Sequence, residues 1–176
     1  MLLNLQRCAV RSWHADDVPS LVQHANNRQI WLNLRDRFPH PYTKSDGQTF
    51  IRHARKMRPE TFFAIAVKGA AVGGIGFVPQ SDVDRQSAEV GYWLGEAFWG
   101  QGIVTEALAA VTRHAVAAHG LTRLFALPFA YNTASCRVLE KAGYVLEARL
   151  RHSAIKDGQL IDQMQYAFIA ADHGTA

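Results

Sequence analysis

The sequence predicts a single mixed α/β domain with a mostly antiparallel sheet, and three observations carry that prediction. The chain has 176 residues, 48% of them hydrophobic and 19% charged, enough to bury one core and too apolar for disorder. Two apolar runs, residues 61–67 and 70–78, are joined by Lys68-Gly69, the pattern of a β-hairpin. From residue 88 the period alternates strand, helix, strand, helix before two closing strands, which adds parallel character to the sheet. No repeat, linker or low-complexity tract divides the chain. Residues 1–172 therefore read as one domain and 173–176 as a tail.

The elements follow in order. Cys8 to Val10 is a short strand. Asp16 or Asp17 caps a helix reaching about Asn26, with Val18, Leu21, Val22 and Ala25 at helical spacing. A second helical piece covers Arg28 to Asn33. Phe38-Pro39-His40-Pro41-Tyr42 cannot be helical, because each proline disfavours the helical conformation in the residue before it. Thr43 or Ser45 opens a helix carrying Phe50, Ile51, Ala54 and Met57 that stops before Pro59. After the hairpin, whose Gly73, Gly74 and Gly76 suggest close backbone packing or a bulge, comes a strand from Ala88 to Leu94. A helix runs from about Val104 to His119 and stops at Gly120. Leu124 to Leu127 is a strand, and Ala134 to Ala142 a helix ending at Gly143. Strands Tyr144 to Arg151 and Leu160 to Ile169 flank a turn at Asp157-Gly158.

Composition excludes several function classes. The longest apolar run, Phe62 to Val67, is six residues, against the roughly 20 that span a bilayer. Asn4 and Gln6 interrupt the first leucines, and Arg7 follows them rather than preceding them, so no secretory leader is expected. Cys8 and Cys136 fit no metal or redox spacing, so a reducing cytoplasm is the expected location and no metal is expected. Charge is uneven: residues 1–60 hold ten Lys/Arg against five Asp/Glu, and residues 61–176 hold nine against ten. The excess peaks at Arg52, Arg55, Lys56 and Arg58, which read as a solvated helix face. No aromatic residue interleaves with them, as single-stranded nucleic-acid binding would ask.

The densest signal is Phe98-Trp99-Gly100-Gln101-Gly102-Ile103-Val104-Thr105-Glu106-Ala107. It stands between a strand and a helix, where unpaired N–H groups and the helix dipole favour an anion. It is not a P-loop, since no Gly-Lys-Ser/Thr triplet follows, nor a dinucleotide fingerprint, since the third glycine is missing. By itself such a loop is equally a structural turn.

Four passages in order make the chain resemble the GCN5-related N-acetyltransferase (GNAT) superfamily, and within it the Rim-like ribosomal-protein N-terminal acetyltransferases. They are Leu34-Arg35-Asp36 through Phe38-Pro39-His40-Pro41-Tyr42; Ala88 to Leu94; Trp99 to Ala107; and Asn132-Thr133-Ala134-Ser135 running into Val138 to Tyr144. Two positions depart from the superfamily's loop pattern, Trp99 at its first place and Val104 at its last.

The resemblance implies a GNAT-like fold with a splayed parallel pair of strands and acetyl-CoA as co-substrate. The N–H groups of Gly100, Gln101, Gly102, Ile103, Val104 and Thr105 would hold the pyrophosphate. The backbone of Tyr92, Trp93 and Leu94 would pair with the pantetheine arm like an added strand, and Asn132 would contact it. Trp31, Arg35, Phe38 and Tyr42 would line the acceptor side. The acceptor is an amine, in the Rim-like branch a protein N-terminus. Polyamines, aminoglycosides and amino sugars are the small-molecule alternatives, and a non-catalytic acyl-CoA or RNA-binding module is the alternative from another class. Neither membrane nor nucleic acid is an expected partner, and the reading allows a homodimer.

The chemistry then narrows the catalytic candidates. An ammonium near pKa 10 must lose a proton before it attacks, so a carboxylate is the expected base. Glu89 is the first candidate, since a charge inside an apolar strand is costly to bury without a purpose. A strand-end residue facing solvent is its bland reading, and Asp162 and His152 are lesser candidates. Ser135 would protonate the leaving thiolate, with Tyr131 beside it as the alternative, although Asn132 to Ser135 also look like any helix cap. Cys136 lacks a recognisable activating base and reads as a small core residue, which favours direct attack over an acetyl-cysteine route.

Overall fold

A computed structural model describes residues 1–173, so residues 174–176 of the expected tail lie outside the described residues. Among the described residues there are eight strands: β1 (Leu2–Asn4), β2 (Ala9–Arg11), β3 (Phe62–Val67), β4 (Ala70–Pro79), β5 (Ser87–Leu94), β6 (Arg123–Ala126), β7 (Val145–Lys156) and β8 (Gln159–Ile169). Five α-helices accompany them: α1 (Val18–Ala25), α2 (Arg28–Trp31), α3 (Lys44–Lys56), α4 (Ile103–His119) and α5 (Thr133–Lys141). The strands are hydrogen-bonded in the order β1-β2-β3-β4-β5-β6-β8-β7. β5 and β6 are parallel and the other described pairings antiparallel, as the mixed α/β class requires. The chain divides into two compact units, Met1–Gly76 with Tyr92–Ala107, and Phe77–Gly91 with Leu108 onward; β4, β5 and α4 each pass from one unit to the other. No described helix is long and apolar enough to cross a membrane.

In the first unit, helix ends are set by local chemistry. Asp17 occupies the cap position of α1, but its carboxylate turns away from the helix. It accepts two hydrogen bonds from the Arg11 guanidinium, at 2.7 and 2.8 Å, and one from the His14 N–H at 2.8 Å. Burial alone would push the Asp17 carboxyl up, but these hydrogen bonds and charges outweigh it and hold the pKa below the usual range. α3 opens on a reciprocal cap: Thr43 Oγ1 accepts from the Asp46 N–H and the Asp46 carboxylate accepts from the Thr43 N–H. Leu21, Ala25, Ile51, Ala54 and Trp13 then bury one core cluster, while Arg52, Arg55, Lys56 and Arg58 stay in solvent. The glycines of β4 allow close approach, for a Cβ on Gly73 would lie 2.5 Å from the Trp93 carbonyl oxygen, and one on Gly76 2.5 Å from that of Thr61.

In the second unit, β5 pairs with β6 over three residues, Ser87↔Arg123, Ala88↔Leu124 and Glu89↔Phe125. α4 stops at Gly120, whose φ of 63° suits a residue without a Cβ. β7 extends to Lys156, beyond the expected Arg151, and reaches β8 through Asp157-Gly158, both at positive φ. Register breaks between Leu146 and Ala148 and between Leu150 and Ala154 hide that continuity from an alternation pattern.

Candidate active site

The glycine loop lies in the first unit. Gly100 and Gly102 adopt φ of 73° and 74°, a region a side chain would strain. The Glu106 N–H donates to the Gly102 carbonyl at 3.2 Å and so opens the helical ladder of α4. The N–H groups of Ile103, Val104 and Thr105 precede it, where a helix offers donors no intrahelical acceptor and its dipole is positive. Bare glycine backbone followed by these donors fits the pyrophosphate of a coenzyme A.

Side chains hold this loop in shape. The Trp99 indole N–H donates to the Leu94 carbonyl at 2.7 Å, and the Gln101 amide to the Ala97 carbonyl at 3.1 Å. Asn27, whose Oδ1 caps α2, donates its NH2 to Glu96 at 2.6 Å. His24 meets the Phe98 ring edge-on at 5.5 Å, and burial lowers its pKa, keeping the imidazole neutral at pH 7. The Glu106 carboxylate reaches back to the N–H groups of Gln6 and Arg7, at 2.8 and 3.0 Å. The contacts of Asn27, Glu106 and Arg7 escape sequence reasoning because their partners lie far off in the chain; only the acid in the first turn of α4 leaves a local trace, while Trp99, noted in the loop pattern, reaches just five residues back to Leu94.

Along β5, the Trp93 carbonyl faces the Gly73 position of β4. By strand alternation Tyr92 and Leu94 present their carbonyls to the opposite edge, where Leu94 already accepts from Trp99. Of the residues expected on the acceptor side, Phe38 stacks with Tyr42 at 4.9 Å and meets Trp93 at 5.7 Å. Tyr42 is buried in the core, and burial, with Asp46 nearby, pushes its phenol to about 12, so it stays protonated. Trp31 packs on His40 at 6.0 Å and under the Arg28 guanidinium, and Arg35 is exposed.

The second unit holds the other candidates. Glu89 is half-buried between buried Ala88 and Val90, so it lies on the sheet face opposite theirs. Asn132 caps α5, its Oδ1 accepting from the Ser135 N–H at 3.1 Å, so the cap occupies its oxygen and not its NH2. Ser135 sits half-buried in the first turn of that helix. Tyr131 is half exposed, and burial, then Asp157, raises its pKa, so it stays a phenol at pH 7. Burial, foremost, also pushes up the thiol of half-buried Cys136, which is therefore not a thiolate at neutral pH. Asp162 is engaged by the His152 N–H at 2.8 Å and Arg149 Nε at 2.7 Å, and these bonds hold its pKa down, making it a weak base.

A mixed sheet with one parallel pair and, in the first unit, a glycine loop opening α4 match what the resemblance implies for an acyl-CoA-using transferase, and comparison with known proteins shows the family. Residues 7–145 match the family described as acetyltransferase (GNAT) domain, and the chain belongs to that family. It is 25% identical to an N-acetyltransferase of Bacillus licheniformis, p20, over 97% of each chain. It is 31% identical to the ribosomal-protein-serine acetyltransferase of Escherichia coli (strain K12) over 61% of this chain and 59% of that one. Among solved structures, RimL, a ribosomal L7/L12 alpha-N-protein acetyltransferase in complex with coenzyme A, superposes with a TM-score of 0.85 at 21% identity, covering 96% of this chain and 98% of that one. The protein is an acetyl-CoA-dependent N-acetyltransferase.

Proposed function

We propose that this enzyme acetylates the N-terminal amine of a protein by direct attack on the thioester in a ternary complex. The likeness to ribosomal-protein acetyltransferases carries the choice of acceptor. Acetyl-CoA, when bound, supplies the acetyl group as an activated thioester. The N–H groups of residues 100–105 hold its pyrophosphate, and Tyr92 to Leu94 with the Asn132 NH2 align the pantetheine arm. Glu89 takes the proton that the acceptor ammonium must lose, directly or through water. Ser135 relays to the sulfur, as the C–S bond breaks, the second proton that the nitrogen sheds on becoming an amide, so its own hydroxyl is restored; this needs that hydroxyl oriented near the sulfur. Phe38, Trp31, Arg35 and the edge of Tyr42 receive the acceptor. Direct attack assigns Cys136 no covalent part, and burial, which raises the pKa of its thiol, favours that choice.

The test is thiol release from acetyl-CoA against a panel of free and N-blocked peptides, polyamines, aminoglycosides and amino sugars, with products located by mass spectrometry. Acetylation at peptide α-amines is expected. Turnover of small amines alone would move the acceptor, and no turnover with any acceptor beside salt-sensitive RNA binding would favour a binding module.

A further inference from the structure

We propose that Arg7 is a cofactor-binding residue, its guanidinium a charged donor to the pyrophosphate on the glycine loop, with Glu106 positioning it. The proposal rests on reading residues 100–105 as the phosphate site. Arg7 belongs to the tight turn between β1 and β2, closed by the Leu5 N–H on the Cys8 carbonyl at 2.9 Å. Glu106 anchors this turn to the start of α4 by accepting the Gln6 and Arg7 N–H groups, one on each carboxylate oxygen. The Arg7 side chain is thereby laid over the loop: a Cβ on Gly102 would stand 3.5 Å from its Nε, 3.7 Å from Cδ and 3.9 Å from Cζ.

Arg7 is not consumed by its neighbours. Its NH1 stands 4.0 Å from Glu106, beyond hydrogen-bond reach, and 3.5 Å from the Gln6 side-chain Oε1, at the limit of one. The side chain is 52% exposed, so several guanidinium donors can face a ligand. Charge supplies the reason for it. Residues 95–106 contain Glu96 and Glu106 and no Lys or Arg. A doubly charged pyrophosphate beside that segment draws a countercharge from elsewhere in the chain, and a planar guanidinium suits two phosphate oxygens.

Calorimetry with coenzyme A and 3′-dephospho-coenzyme A tests this on wild type, Arg7→Ala, Arg7→Lys and Gly102→Asp. Arg7→Ala should weaken both ligands about tenfold and flatten the salt dependence of binding. Arg7→Lys should recover part of the loss. The thermal midpoint should hold in each Arg7 variant, because Glu106 grips backbone N–H groups that the substitutions keep. Unchanged affinity in Arg7→Ala overturns the proposal, and a loss seen with coenzyme A but not the dephospho form moves Arg7 to the 3′-phosphate and overturns the pyrophosphate assignment. If Gly102→Asp also binds normally, it is the loop reading that falls.

Discussion

Glu89, between two buried neighbours on β5, is the residue whose environment most invites a test. Glu89→Gln keeps size and hydrogen bonding while removing basicity. It should lower kcat by about 100-fold or more, the usual scale of general-base loss, with little change in acetyl-CoA affinity. An unaltered rate and pH–rate profile would assign Glu89 a purely structural role. Cys136→Ala should retain transfer, and a variant that binds acetyl-CoA yet transfers nothing would revive the acetyl-cysteine route. Asn132 carries a double burden, since its oxygen caps α5 and its NH2 is the proposed ligand donor. Its substitution by Ala therefore mixes about 1 kcal/mol of lost capping with any lost ligand contact. Asn132→Asp separates the two by keeping the cap oxygen and losing the donor.

At the scale of elements, most of the chain was legible because its signals are local. Thr43 and Asp46 sit at the spacing of a reciprocal cap, and Gly120 and Gly143 end helices where their positive φ is needed. Thr43→Ala should cost about 1 kcal/mol by urea unfolding; an unchanged midpoint would mean that the cap contributes nothing. What sequence missed depends on distant partners. β1 has three residues and exists through its pairing with β2, and β7 continues through breaks that its own pattern conceals. Asp17 reads as a cap, yet Arg11 captures its carboxylate. The β4 glycines were legible as points of close approach, though not the Trp93 they accommodate. Gly74→Val would drive a side chain into the Trp93 indole, whose Nε1 lies 2.7 Å from the Cβ position. Overpacking of about 1–3 kcal/mol is expected, read as a lower thermal midpoint.

Across the whole molecule, acid should reveal the charge pairs. Hydrogen bonds from Arg123, foremost, hold Glu147 down to about 2, and Asp17 is also held below its usual value. A carboxyl depressed in the folded state adds stability above its unfolded pKa, near 4, and that gain fades as pH falls toward the folded value. Unfolding free energy should therefore be level above about pH 5 and decline from about pH 4 toward 2. Arg123→Met should make that decline shallower, and an identical slope would show that the Glu147 pair contributes nothing. The basic excess of residues 1–60 also finds a place: Arg52, Arg55 and Lys56 on α3 and Arg58 just beyond it are solvated, while Arg7 leans over the loop.

The outermost strand carries a further consequence, for the protein's behaviour at high concentration. β7 is twelve residues long and ends the sheet, with Val145, Leu146 and Ile155 exposed along it. A straight strand of that kind is a template onto which a stray chain can add. Two register breaks bend it, and Glu147, Arg149 and Arg151 punctuate its exposed row, so an incoming strand would meet neither a continuous ladder nor a dry face. The irregularities that obscure β7 in the sequence are thus the features that guard this edge against fibril growth.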